Sequence, residues 1–169
     1  RLSAASFVLT KALTAGGDLV IDSAGQFQLG NDVWLYAGSG VQVDATSSVK
    51  NNGVIESEGD IQLSAGTTLT NSGYLTAMGD IAVTANAGAL QNSGAMQAGD
   101  DMHLLATTDI TNTGTIRSNG DLTIDGKNMT NRSLVYANQD LTMSMANSVV
   151  NHGDILAAGD MVFDHDGEQ

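Results

Sequence analysis

The chain has no cysteine and no proline, and aromatic residues make up only 4% of it. Without cysteine there is no disulfide framework and no thiolate metal site. With so few aromatics, the core must be built from aliphatic and small side chains. Cations are scarce too: Arg1, Lys11, Lys50, Arg117, Lys127 and Arg132 are the only Lys and Arg, against 19 acidic residues, for a net charge of −13. Six scattered cations cannot form the basic stripe that nucleic acid or an anionic membrane needs. No apolar run approaches the ~20 residues that would cross a bilayer as a helix. No signal peptide is visible, and the chain begins at Arg1 with its pattern already running by Ser3. This reads as a segment cut from a longer array.

What is present is a period. Asparagines recur at Asn31, Asn51, Asn71, Asn92, Asn112, Asn131 and Asn151, at intervals of 20, 20, 21, 20, 19 and 20 residues. A repeat that short is one supersecondary unit, and stacked copies of it make a solenoid. Hydrophobic residues form 41% of the 169, enough for a real core in one domain spanning 1–169. Twenty glycines, with many Ser, Thr, Asn and Asp, argue for many turns and against long helices.

Aligned on Asn, the copies share columns. One reads Leu13, Leu35, Ile55, Leu75, Met96, Ile116, Val135 and Ile155. The second reads Leu19, Val41, Ile61, Ile81, Met102, Leu122, Leu141 and Met161. The third runs Ile21, Val43, Leu63, Val83, Leu104, Ile124, Met143 and Phe163. The fourth is Phe7, Leu29, Val49, Leu69, Leu90, Ile110, Met129 and Val149. A further column, at Ser57, holds only Ala and Ser, which marks where walls approach closely. Apolar and polar positions alternate within a copy, which is strand and not helix periodicity. Turns fall at Gly59-Asp60, near Gly66 and at Asn71-Ser72-Gly73. Three short strands and three corners in about 20 residues predict one coil of a right-handed parallel β-helix. About eight coils at ~4.8 Å give a rod on the order of 40 Å long. A leucine-rich horseshoe would need a helical segment in each copy, and none is present.

Stacked asparagines suit a corner, because Asn tolerates left-handed backbone and its amide can donate to one neighbour while accepting from the other. They are therefore expected to form a structural ladder. A second series, Asp18, Asp60, Asp80, Asp101, Asp121, Asp140 and Asp160, is broken by Gly40. Aligned carboxylates repel, by roughly 1 kcal/mol per neighbour in water. They are tolerable where solvated and capping turn N–H groups. The calcium-binding pattern G-G-x-G-x-D is absent, so no metal site is assigned.

The columns of Val54 and Glu56 point outward and carry Trp34, Tyr36, Tyr74, Leu134 and Tyr136, placing the single Trp and all three Tyr on one sheet. Aromatics favour strands for packing reasons alone. Exposed Trp and Tyr also dominate contact sites, so these five residues form the candidate contact surface. No catalytic constellation emerges. His103, His152 and His165 lie in separate places and read as solvated surface residues. Carboxylate pairs are uninformative in an Asp-rich repeat.

The pattern N-x-G-x-[ILMV]-x-[AS]-x-G-D-[ILM]-x-[ILMVF], clear from Asn71 to Val83 and from Asn151 to Phe163, resembles the haemagglutinin repeats of filamentous haemagglutinin. It is similar to the shafts of contact-dependent inhibition exoproteins. Val33 and Ser133 depart from it at the corner glycine, and Gln139 departs from it at the second turn. The resemblance implies two-partner secretion through an outer-membrane transporter of a Gram-negative cell. It implies a secreted or surface-exposed shaft that displays an adhesin or carries a toxin, meeting a receptor or glycan on a host or bacterial cell. The family's secretion domain usually carries an N-P-N motif, so a chain without proline is not that part. No enzyme activity and no cofactor are expected. The alternative is a β-helix carbohydrate-active enzyme or glycan-binding module; lyases of that shape build a groove from long loops, which this chain lacks.

Overall fold

A computed structural model describes residues 1–165. Every strand pairing in it is parallel, and each strand pairs with its counterparts one coil before and after. The coil from Val54 to Asn71 shows the plan. Strand Val54–Ser57 forms a first wall, Ile61–Ala65 a second and Leu69–Asn71 a third, with bends of three residues between them. Side chains alternate strictly, so Ile61, Leu63 and Ala65 are buried while Gln62 and Ser64 face outward. Alternation with one face toward a closed interior fixes the register, because a one-residue slip would turn every apolar side chain to water.

The first wall is an eight-stranded sheet. The second and third walls belong to one fifteen-stranded sheet. They merge because the strands Leu122–Asn131 and Leu141–Asn151 run straight across the second corner, with a register shift between Gly126 and Asn128. The repeat predicts a turn at that corner in every coil, but the coils that carry Leu122–Asn131 and Leu141–Asn151 flatten it into a bulged strand. Gly126 sits at the shift, where a missing Cβ lets the strand bend without a full turn.

The core is the stack of inward columns. Leu35, Ile55, Leu75, Met96, Ile116 and Val135 lie in one register line and are fully buried. Like sits on like along the axis. The column at Ser57 stays small throughout: its two serines are buried, and their hydroxyls reach backbone carbonyls, Ser57 that of Ser39 and Ser118 that of Asp100 or Asp121. Every buried side-chain nitrogen and oxygen among the described residues has a partner.

Two column assignments need correction. Phe27, not Leu29, pairs with Val49, and Leu29 pairs with Asn51. Leu29 therefore occupies the asparagine position of its coil. Asn31 stands two residues further on, in an exposed turn. The chain between the third wall of that coil and the next strand, Trp34–Ala37, is two residues longer than in the coils after it. Counted back from the following strand, Asn31 falls at the same distance as Asn51; counted forward from the preceding one, Leu29 does. The extra residues loop outward at Asp32, whose φ of 57° is left-handed, a conformation that Asp tolerates better than most residues.

Candidate functional site

The asparagine corner is a chain of buried amides. Asn51, Asn71, Asn92, Asn112 and Asn131 each donate through Nδ2 to the Oδ1 of the next, at 2.7, 2.8, 2.8, 2.8 and 2.9 Å, ending at Asn151. Each Nδ2 also donates to a backbone carbonyl of the following coil, as from Asn71 to Ala95 and from Asn92 to Thr115. All these bonds run in one direction, toward the C-terminus. The first amide needs no donor from below, since Asn51 Oδ1 accepts from the Gly53 N–H at 3.1 Å. That is why an apolar Leu29 can sit beneath it.

The aspartates form a second directed series at the surface. Oδ1 of Asp60, Asp80, Asp101, Asp121 and Asp140 each accepts the backbone N–H of the next aspartate, at 2.8–3.0 Å. A charge-assisted bond to a backbone amide matches or exceeds the ~1 kcal/mol repulsion between neighbours in water. It also explains the Gly-Asp dipeptide: a Cβ at Gly79, Gly120 or Gly159 would collide with the carboxylate of Asp60, Asp101 or Asp140. Among the described residues no group of three or more His, Asp or Glu side chains is placed to hold a metal ion.

The five candidate contact residues all lie on the first wall, but they do not make one patch. Trp34 and Tyr74 both pair with Val54, so they are two coils apart. From Tyr74 the line runs through Ala95 and Thr115 before it reaches Leu134. One group is thus Trp34, Tyr36 and Tyr74; the other is Leu134 with Tyr136. In the first group Trp34 is 50% and Tyr74 61% exposed. The Trp34 and Tyr36 rings meet edge to face, at 6.4 Å between centroids and 67° between planes. Their polar atoms are anchored by glutamates of the next coil: Trp34 Nε1 donates to Glu56 Oε2 at 3.2 Å and Tyr36 Oη donates to Glu58 Oε1 at 2.6 Å. That bond, then partial desolvation and the nearby negative charge, hold the Tyr36 hydroxyl above the ordinary tyrosine pKa. In the second group the guanidinium of Arg117 lies 5.5 Å from the Tyr136 ring centre.

Glu56, Glu58 and Arg117 were not singled out from the sequence. Glu56 was legible, since it shares the outward column of Tyr36 one coil on. Glu58 lies at the bend beyond that strand, where column alignment says little about direction. Of the histidines, His103 contacts Asp125 at 2.7 Å on the open face of the second wall, His152 is exposed at a corner, and His165 bonds to the Met145 carbonyl at 3.0 Å. They do not meet. The depressions on the surface are open and lined by strand residues together with the short bends between strands.

A family model, the haemagglutinin repeat, matches residues 1–73, 57–126 and 117–164. The chain belongs to the haemagglutinin repeat family. Its matches together cover all but the last few residues, in overlapping stretches, as an array of repeats should. No curated protein and no solved structure matches the chain. Haemagglutinin repeats are typically structural and not enzymatic, and the family points to secreted or surface-exposed proteins of the two-partner secretion class. Among the described residues no helix is long and apolar enough to cross a membrane.

Proposed function

We propose that this chain is a stretch of the shaft of a large secreted or surface-exposed exoprotein, and that its work is mechanical. It acts as a rigid spacer within a longer array, projecting a binding or toxic end from the producing cell. The parent protein would leave that cell through its outer-membrane transporter. The observation that carries this is the recurrence: the same four inward columns return coil after coil, and buried amides link the coils from Asn51 to Asn131, with short connections between strands. Such a stack resists bending because each coil is bonded to both neighbours along all three walls. Removing or duplicating single coils in the parent protein tests it. Each coil should change the length of the projecting rod by about 5 Å, and replacement by an unrelated β-helix of equal length should preserve presentation of the projecting end. Loss of function in the equal-length replacement would show that the segment does more than span distance.

A second role is favoured by the exposure of Trp34 and Tyr74. The first wall is also a contact surface for a receptor or glycan on a target cell. Changing Trp34 and Tyr74 to Thr keeps β-propensity and removes the rings. Attachment to target cells should fall; unchanged attachment would remove this second role and leave the spacer intact.

A further inference from the structure

The aromatic end of the first wall has a specific chemistry. Trp34 and Tyr36 offer π faces, and Tyr74 stands two strands along the same line as Trp34. Glu56 and Glu58 hold the polar edges of the two rings through one carboxylate oxygen each. The other oxygen of each glutamate carries no hydrogen bond among the described residues. The rest of this wall shows what such a surface pairs with. One register line runs Tyr36, Glu56, Thr76, Gln97, Arg117, Tyr136. At its far end the chain supplies its own cation, with Arg117 over Tyr136. At the near end the position next to Tyr36 is a glutamate instead.

We infer that the Trp34–Tyr36–Tyr74 patch, with Glu56 and Glu58, is a docking surface for an extended, arginine-bearing polypeptide segment. A guanidinium stacks on an aromatic face and offers paired N–H groups to a carboxylate, so one Arg can satisfy both kinds of group at once. The net charge of −13 favours the approach of a basic partner and disfavours an acidic one. A neutral sugar would be better served by a flat, coplanar platform than by rings crossed at 67°. This inference rests on the first wall being a contact surface, and not on the spacer role.

Trp34 is the only tryptophan, so its fluorescence reports from the patch itself. The full chain is titrated with tetra-arginine, tetra-lysine, tetra-citrulline and cellotetraose at low and high salt. Tetra-arginine should shift Trp34 emission saturably and more tightly than tetra-lysine, and tetra-citrulline should leave it unchanged. Glu56→Gln with Glu58→Gln should weaken tetra-arginine binding about fivefold, from two exposed charge contacts. Asp109→Asn with Asp125→Asn removes the same net charge elsewhere and should weaken it less than about twofold. Equal losses in the two double variants would mean nonspecific attraction to an acidic rod and would overturn the inference. A response to cellotetraose without one to tetra-arginine would also overturn it, while leaving the wall a contact surface for glycan. Circular dichroism of both double variants separates lost binding from lost structure.

Discussion

The directed amide ladder makes a quantitative prediction about neighbouring substitutions. Replacing Asn92 with Leu removes the donor to Asn112 Oδ1, among the described residues the only hydrogen bond to that buried oxygen. Replacing Asn71 with Leu does the same to Asn92 Oδ1. Each single change orphans one acceptor in the coil after it and one N–H of the amide before it, Asn51 or Asn71, at about 1–3 kcal/mol per group. Burial of the new leucine offsets part of that, by up to about 1.5–3 kcal/mol, so single-variant stabilities alone decide nothing. The double variant is different. With Asn71 and Asn92 both gone, only Asn112 Oδ1 and one Asn51 N–H are stranded, since Asn92 Oδ1 and Asn71 Nδ2 have been removed with their side chains. The leucine term enters once per site and cancels in the cycle. The double variant should therefore be more stable than the sum of the singles by about 1–3 kcal/mol per group so removed. The control pair is Asn71 with Asn131, which are not ladder neighbours and share no hydrogen-bond partner. That pair should be additive to within about 0.5 kcal/mol. Urea unfolding followed by circular dichroism, with the slopes compared to exclude loss of cooperativity, gives both cycles. Additivity in the adjacent pair would refute the reasoning and reduce the asparagines to independent corner residues.

Two more outcomes follow from the surface. At Asp101, Asn keeps the oxygen that accepts the Asp121 N–H and removes a like charge. Asp101→Asn should leave stability unchanged or raised, whereas Asp101→Ala should lower it by about 0.5–2 kcal/mol, as loss of a capping oxygen does. Equal urea midpoints for the two variants would mean that the bond contributes nothing. At Tyr36, the folded chain favours the neutral hydroxyl that donates to Glu58, so its pKa lies above that of the unfolded chain. The resulting stabilisation is fully present below the ordinary tyrosine range and is lost as pH rises through the raised value. In a Tyr74→Phe, Tyr136→Phe background, absorbance should show Tyr36 ionising late, and Glu58→Gln should bring it back toward the ordinary range. No movement on that change would rule out Glu58 as the cause.

The sequence by itself determined the repeat, the strand periodicity and three of the four inward columns in full. It could do so because parallel coils stacked in register place identical chemistry at identical intervals, and burial then filters every copy in the same way. Interval alone failed where a coil carries extra residues. Asn31 and Leu29 are both compatible with the count, and only pairing in space shows that Leu29 lies beneath Asn51. The flattened corner near Gly126 was hidden for the same reason, since a bulge and a turn consume similar numbers of residues. Tertiary structure also decided everything that depends on contact between coils. It gave the direction of the amide bonds and the capping of the amides of Asp80, Asp101, Asp121, Asp140 and Asp160 by the carboxylate one coil back. It divided the five aromatic-wall residues into two groups and set Glu56 and Glu58 against the rings of Trp34 and Tyr36. Those partners lie about one coil apart in sequence, and only the stacking geometry fixes which neighbour each side chain meets.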